Sequence, residues 1–269
     1  VRPAEAGLDF KEKMMTTASP GVAIAALLIA LAGGSAALAQ DAAADAGAAS
    51  GAAPGVNPRD NITKTELLFR YDSLDLADHT QSFTFKYDMA FGPRWGGNIE
   101  VPMVGFEGFG LSDAGLGDVQ ARLRYTTQMG DLSVIAGGEV VLPTASEDTL
   151  GRGKFQINPT LGVVVPVTQT SFVFMGYKHL FSVAGDDDRP DINESQPRLI
   201  AGYTDPAGWW TLGDLKYTRS WEDDSEVLDL ELEYGRMVAR RVGVWARVGT
   251  SFFDSDRDAS LLLGVRFIR

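Results

Sequence analysis

Charged residues recur at every second position in several stretches of this chain: Lys86 and Asp88, Arg122 and Arg124, and Asp229, Glu231 and Glu233. Two-residue spacing stacks side chains about 6.6 to 7 Å apart on one face of an extended strand. In a narrow, low-dielectric passage such ladders set up a field; against neighbouring strands they fix register. His79 and His179 each have a serine three residues on, Ser82 and Ser182, the residue types of a hydrolase base and nucleophile. On a strand that spacing puts base and nucleophile on opposite faces, so neither pair forms within one strand. Asp186, Asp187, Asp188, Asp191 and Glu194 carry oxygen ligands suited to Ca²⁺, but Asp191 stands at the sixth position, where a calcium-binding loop needs Gly. A solvated acidic loop is the simpler reading. Gly151-Arg152-Gly153-Lys154 lacks the strand, loop and helix context of a phosphate cradle. No catalytic residue, metal site or cofactor is expected.

Composition narrows the class further. Zero cysteines exclude disulfides, thiolate metal sites and a Cys nucleophile. The net charge of −12 argues against a nucleic-acid partner, since binding phosphates needs a positive surface. A mean hydropathy of −0.04 means that apolar residues are diluted by polar ones almost everywhere, which excludes a bundle of membrane helices.

Near the N-terminus, Lys11 and Lys13 precede an apolar run from Val22 to Ala32 and the small-residue site Ala37-Leu38-Ala39-Gln40. Residues 1–39 read as a secretory signal cleaved after Ala39, with Met14 or Met15 as the alternative start. Residues 40–61 are Ala, Gly, Asp and Pro with few large apolar groups, and read as a disordered tether.

From residue 62 onward the period is two. Leu67, Phe69 and Tyr71, then Phe83, Phe85 and Tyr87, alternate with polar residues, as do Leu123 and Tyr125, and Leu228, Leu230, Leu232 and Tyr234. Strands are expected near 62–72, 79–91, 95–105, 117–128, 131–143, 154–166, 170–182, 195–205, 208–219, 225–238, 241–253 and 258–269. Their connections alternate in kind. Tight turns at Gly92-Pro93-Arg94, Met129-Gly130, Val167-Thr168-Gln169, Pro206-Ala207 and Ala239-Arg240 alternate with longer, acidic connections at 73–78, 106–116, 144–153, 183–194, 220–224 and 254–257. Short turns at one end and long loops at the other mark a transmembrane barrel rather than a soluble sandwich. The 208 residues from 62 to 269 allow about 17 per strand and connection over twelve strands, against roughly 9 to 11 embedded in a membrane. The expected fold is therefore all-β: a transmembrane antiparallel up-and-down β-barrel of about 12 strands spanning 62–269. Phe91, Trp95, Trp209 and Trp210 would form the aromatic girdle at the short-turn end. Pro102 and Pro159 fall inside strands of a fold that has no edge, and 170–182 is apolar on both faces, leaving its orientation open.

The segments Gly115-Leu116-Gly117-Asp118, Arg122-Leu123-Arg124-Tyr125, Val141-Leu142-Pro143-Thr144 and Asn158-Pro159-Thr160-Leu161 resemble a known family. It is the outer-membrane transporter family named for proteins of the phenol meta-cleavage degradation pathway, and the resemblance covers roughly 90–265. It implies a β-barrel channel admitting hydrophobic or aromatic small molecules.

Function should then lie in the lumen. The register turns inward Glu66, Arg70, Lys86, Asp88, Glu100, Arg122, Arg124, Glu139, Arg198, Asp214, Lys216, Asp229, Glu231, Glu233, Arg247 and Arg266, eight acids and eight bases. The reading is a passive outer-membrane channel for small molecules, with outer-membrane lipids and a small solute as partners. A structural barrel without conductance is the alternative, and a lipid-active enzyme the third reading.

Overall fold

The computed structural model describes residues 53–74, 78–108 and 110–269; the expected signal peptide and residues 40–52 lie outside them. Thirteen strands follow one another: β1 (Lys64–Leu74), β2 (His79–Ala90), β3 (Trp95–Gly108), β4 (Leu111–Leu116), β5 (Val119–Met129), β6 (Leu132–Leu142), β7 (Lys154–Pro166), β8 (Ser171–Gly185), β9 (Asn193–Thr204), β10 (Trp209–Ser220), β11 (Glu226–Ala239), β12 (Val242–Phe253) and β13 (Arg257–Ile268). All neighbours are antiparallel, and the β2–β3 and β1–β13 pairings close the sheet on itself. β4 pairs only with β3, above the stretch where β3 pairs with β5, so β4 and β5 together fill one position and twelve strands surround the lumen.

The connection at 106–116, expected to be a loop, is a hairpin. β3 runs on to Gly108 and pairs with β4 from Met103↔Leu116 to Gly108↔Leu111. Gly110, at φ 78°, supplies the left-handed residue that its turn requires.

The internal prolines sit where the ladder is already interrupted. Pro102 lies between the last β3–β5 pair, at Glu100, and the first β3–β4 pair, at Met103. Pairing of β7 with β8 skips from Gln156↔Ser182 to Thr160↔Lys178, bracketing Pro159. Pairing of β9 with β10 likewise skips from Ser195↔Arg219 to Arg198↔Lys216, bracketing Pro197. A missing N–H is tolerated at such gaps even without a sheet edge.

The alternation of side chains divides the wall into two surfaces. Phe83, Phe85, Leu123, Leu161, Leu232 and Val248 point outward and are exposed, forming a broad apolar belt of the kind that lipid covers. The face of β8 left open by its sequence is settled by glycines. Phe172 and Phe174 turn inward because Gly162, Gly176 and Gly202 leave room: a Cβ at Gly202 would stand 2.3 Å from Phe172 Cζ, and one at Gly162 would stand 2.4 Å from Phe174 Cε2. Met175 and Tyr177, on the opposite face, are exposed.

Two further expectations are corrected. Residues 53–61 do not hang free as a tether. Ala53 and Val56 are buried against Trp210 and Trp245 inside the short-turn end of the barrel. Three hydrogen bonds compact the segment: Asp60 N–H donates to Asn57 O at 2.9 Å, Gly55 N–H to Asp60 Oδ2 at 2.9 Å, and Arg59 N–H to Asn57 Oδ1 at 3.1 Å. Trp210, expected in the outer girdle, instead faces the lumen with no exposed surface, since the even positions of β10 carry the inward side chains Asp214 and Lys216. The outward ring near the short turns is built by Trp95 with Tyr125, at 4.9 Å between centroids, and Trp209 with Tyr203, at 5.2 Å.

Candidate functional site

The inward charges form two networks, both of which include residues of β1 and β13. In the first, Arg266 Nε binds Glu66 Oε1 at 2.7 Å, and Lys64 Nζ binds Glu66 Oε2 at 2.9 Å and lies 3.9 Å from Asp88. Lys86 pairs with Glu100 at 3.0 Å. Arg122 Nε donates to Glu139 Oε2 at 3.1 Å, while Glu139 Oε1 accepts from Lys178 at 3.0 Å and from the buried Asn158 amide at 3.1 Å.

The second network is denser. Arg247 reaches Glu233 at 2.6 Å, Glu231 at 3.0 Å and Asp214 at 3.6 Å. Arg198 Nε donates to Asp214 at 2.8 Å. Lys216 binds Asp229 at 2.9 Å, and Arg257 joins Asp229 to Asp72. Arg70, on β1, crosses the lumen side of two intervening strands to Glu231 at 3.1 Å and binds Asp72 at 2.8 Å.

The basic and acidic ladders therefore do not face each other unpaired. Arg122 is matched by Glu139 on β6, and Asp229, Glu231 and Glu233 by cations of β1, β10, β12 and β13. Arg124 differs from the rest: its guanidinium grips the backbone carbonyls of Pro58 and Asp60 rather than a carboxylate.

Lys64, Lys178, Arg257 and Asp72 belong to these networks but are absent from the inward set read from sequence. Lys178 was hidden by the two-sided hydrophobicity of β8. Arg257 stands at a register shift between β1 and β13, where strict alternation gives the wrong face.

Below the charges lies an apolar floor. Val164, Phe172 and Ile200 pack with Ile135, Phe174 and Leu212, and Leu212 also touches the cluster of Trp210, Trp245, Ala53 and Val56. Trp210 Nε1 donates to Glu233 Oε1 at 2.7 Å, and the Arg266 guanidinium lies 5.5 Å from the Trp210 ring. The floor is thus tied to both charge networks. Between the inserted segment and the wall remains a polar cavity of about 160 Å³, lined by Lys64, Lys86, Asp88, Asn98, Arg122 and Arg124.

At the long-loop rim, two motifs far apart in sequence meet. Thr144 Oγ1 donates to Gly117 O and accepts from Val119 N–H, both at 2.9 Å. The Asp118 carboxylate accepts from Ala145 N–H at 3.2 Å and from Arg152 N–H at 2.7 Å. Gly-Asp and Leu-Pro-Thr are two halves of one clamp on the loop at 144–152.

The acids at 186–194 are drawn to different partners. Asp191 pairs with Lys154 at 2.9 Å, Glu194 with Arg152, and Asp186 Oδ1 accepts from Asp188 N–H at 3.0 Å. His179 stacks beside Tyr177 and Phe181, whereas Ser182 Oγ bonds Asp191 and the Ile192 amide. His79 stacks on Tyr71 and lies 3.5 Å from Glu107.

No family model matches the chain, and no curated protein matches it in sequence. Solved structures do. An outer-membrane channel from Pseudomonas putida F1 superposes with a TM-score of 0.63 at 13% identity, covering 80% of this chain and 100% of that one. The NanC porin gives 0.59 at 10% identity over 77% and 100%, and the KdgM porin 0.56 at 13% over 76% and 99%. The chain has the fold of outer-membrane β-barrel channels.

Proposed function

We propose that this protein is a passive channel for small molecules in the bacterial outer membrane, with its short turns and inserted N-terminal segment on the periplasmic side. The observation that carries this reading is the contrast between an apolar exterior and an ion-paired interior within one closed wall. The likeness in fold to the Pseudomonas putida channel and to two porins supports it.

For the solute, the motif resemblance favours hydrophobic or aromatic molecules. Single-channel recording in planar bilayers, followed by liposome swelling with an aromatic acid and a neutral sugar of similar size, tests both parts. Conductance with faster entry of the aromatic solute is expected. Absence of any conductance in folded protein would leave the structural barrel instead, and esterase activity in the purified protein would move the reading to a lipid-active enzyme.

A further inference from the structure

We infer that the lipid face of β11, β12 and β13 carries a site for one glycerophospholipid of the periplasmic leaflet, with its phosphate on Arg236 and an acyl chain beside Ala246.

The groove arises from the order of side-chain sizes across three strands. Tyr234 of β11 stands opposite Ala246 of β12, which stands opposite Leu263 of β13, so a methyl group lies between two large side chains on the outward face. The next row, Gly235, Trp245 and Gly264, faces inward; a Cβ at Gly264 would stand 2.2 Å from the Trp245 ring and one at Gly235 2.2 Å from the Trp210 ring, so the two indoles fill the space over these glycines on the lumen side. The resulting depression of about 330 Å³ is lined by Tyr234, Val244, Ala246, Leu263 and Val265, with Arg236 at one end.

Arg236 gives the groove its polarity. It stands opposite Trp209, whose ring lies 6.3 Å from that of Tyr234, so its charge sits level with the outer aromatic ring. Among the described strand residues facing outward, the other charged groups, Glu107, Arg219 and Glu226, lie at the extracellular ends, and Arg219 and Glu226 neutralise each other at 2.7 Å. Arg236 is exposed and forms no ion pair among the described residues. A guanidinium on the lipid face is unfavourable unless it reaches an anion, and at headgroup depth the abundant anion is a lipid phosphate, which the guanidinium fork grips with two parallel hydrogen bonds. Arg241, exposed in the turn below, adds a second positive charge toward the headgroup and favours an anionic lipid. From that phosphate, an acyl chain directed to the membrane centre runs along the strands over Ala246.

Native mass spectrometry of the full, folded protein titrated with dioleoylphosphatidylglycerol tests the site. One preferentially retained lipid per chain is expected. Arg236→Gln should weaken its retention about tenfold, the scale of a lost charge-assisted pair. Ala246→Leu, which fills the groove without touching the phosphate, should weaken it by a similar factor. Arg94→Gln, at another short turn where Arg94 binds the Tyr125 hydroxyl, should leave it unchanged. Either groove variant binding the lipid as the wild type does, or a ladder of equally weak adducts, would overturn the site; so would Arg236-dependent binding of lipid A in preference to the phospholipid.

Discussion

Arg124 Nη1 donates to the carbonyl oxygen of Pro58 at 2.7 Å, joining residues 66 positions apart. Arg266 reaches Pro54 O and Lys64 reaches Gly55 O, both at 3.4 Å. Cations of three strands thus hold the inserted segment through peptide carbonyls, contacts that do not depend on the identity of its side chains.

Arg124→Ala should therefore loosen the segment without unfolding the wall. Larger and noisier single-channel conductance than wild type is expected, and deletion of residues 53–60 should give a larger, steadier level. Equal conductance in all three proteins would show that the segment does not limit the path.

Trp210 is the keystone of the floor, fully buried and bonded to Glu233 at 2.7 Å. Trp210→Ala removes a large buried ring and leaves a carboxylate oxygen without its donor, a loss of about 3 to 5 kcal/mol for burial of this kind. Trp210→Phe retains most of the packing and should lie between. Urea unfolding followed by the heat-dependent gel shift ranks the three; an unaltered midpoint in Trp210→Ala would show that the floor adds nothing to stability.

The wall was legible in sequence because period two survives wherever one face meets lipid and the other meets water: Phe83, Phe85 and Tyr87 against Lys86 and Asp88 define both strand and orientation. It failed where that contrast was missing. β4 reads Leu-Ser-Asp-Ala-Gly-Leu, too short and too small in its side chains to register as a strand, and it forms by pairing with the extended end of β3. The segment at 53–61 carries no periodicity; its signals were local, the prolines at 54 and 58 and the turn formers Asn57 and Asp60. Of the candidate site, the inward charges could be named, but their partners could not. Arg70 finds Glu231 on a strand 161 positions away in sequence, an encounter fixed by barrel closure rather than by anything near Arg70 in the chain.

The long loops should keep their shape down to low pH. Asp191 has its carboxyl held below the ordinary value by the hydrogen bond from Lys154, with the Lys154 charge and the Ser182 hydroxyl adding to it; Asp223 is held at about 2 by the Ser220 and Ser225 hydroxyls and the Ser225 amide. A depressed folded-state value means that these contacts contribute fully above the unfolded value near 3.8 and are lost as pH falls through the lowered one. Exchange protection of the Ile192 amide, which donates to Ser182 Oγ, should be flat from pH 7 to 5 after correction for intrinsic rates and decline only below about 4. Asp191→Asn should lose the acid-dependent part; a midpoint near pH 6 would contradict the assignment.

The same loops allow a test of the proposed orientation of the barrel. The connection at 186–192 carries Asp186, Asp187, Asp188 and Asp191 against Arg189, and belongs to the long-connection end. A cysteine introduced by Asp187→Cys should react with a membrane-impermeant maleimide on intact cells. Labelling only after the outer membrane is permeabilised would mean that the short turns face outward.

Arg247 offers the sharpest test of whether the charge network lines the ion path. Its guanidinium lies among three carboxylates, Glu233 at 2.6 Å, Glu231 at 3.0 Å and Asp214 at 3.6 Å, each with other contacts: Arg70 for Glu231, Arg198 for Asp214 and the Trp210 indole for Glu233. Arg247→Met keeps the length of the side chain and removes its charge, so the cluster becomes one unit more negative without a large void. Bound to a wall that ions pass, that extra charge raises the local cation concentration and shifts the reversal potential in a KCl gradient toward the potassium equilibrium potential. Removing one partner of a buried network also destabilises, by about 3 to 5 kcal/mol where water is excluded and less where the lumen is wet. Arg247→Lys restores the sign but not the fork and should return the reversal potential toward the wild-type value while recovering only part of the stability. A folded, conducting Arg247→Met protein with the wild-type reversal potential would place this network outside the ion path and leave it the role of holding β9 to β12 in register.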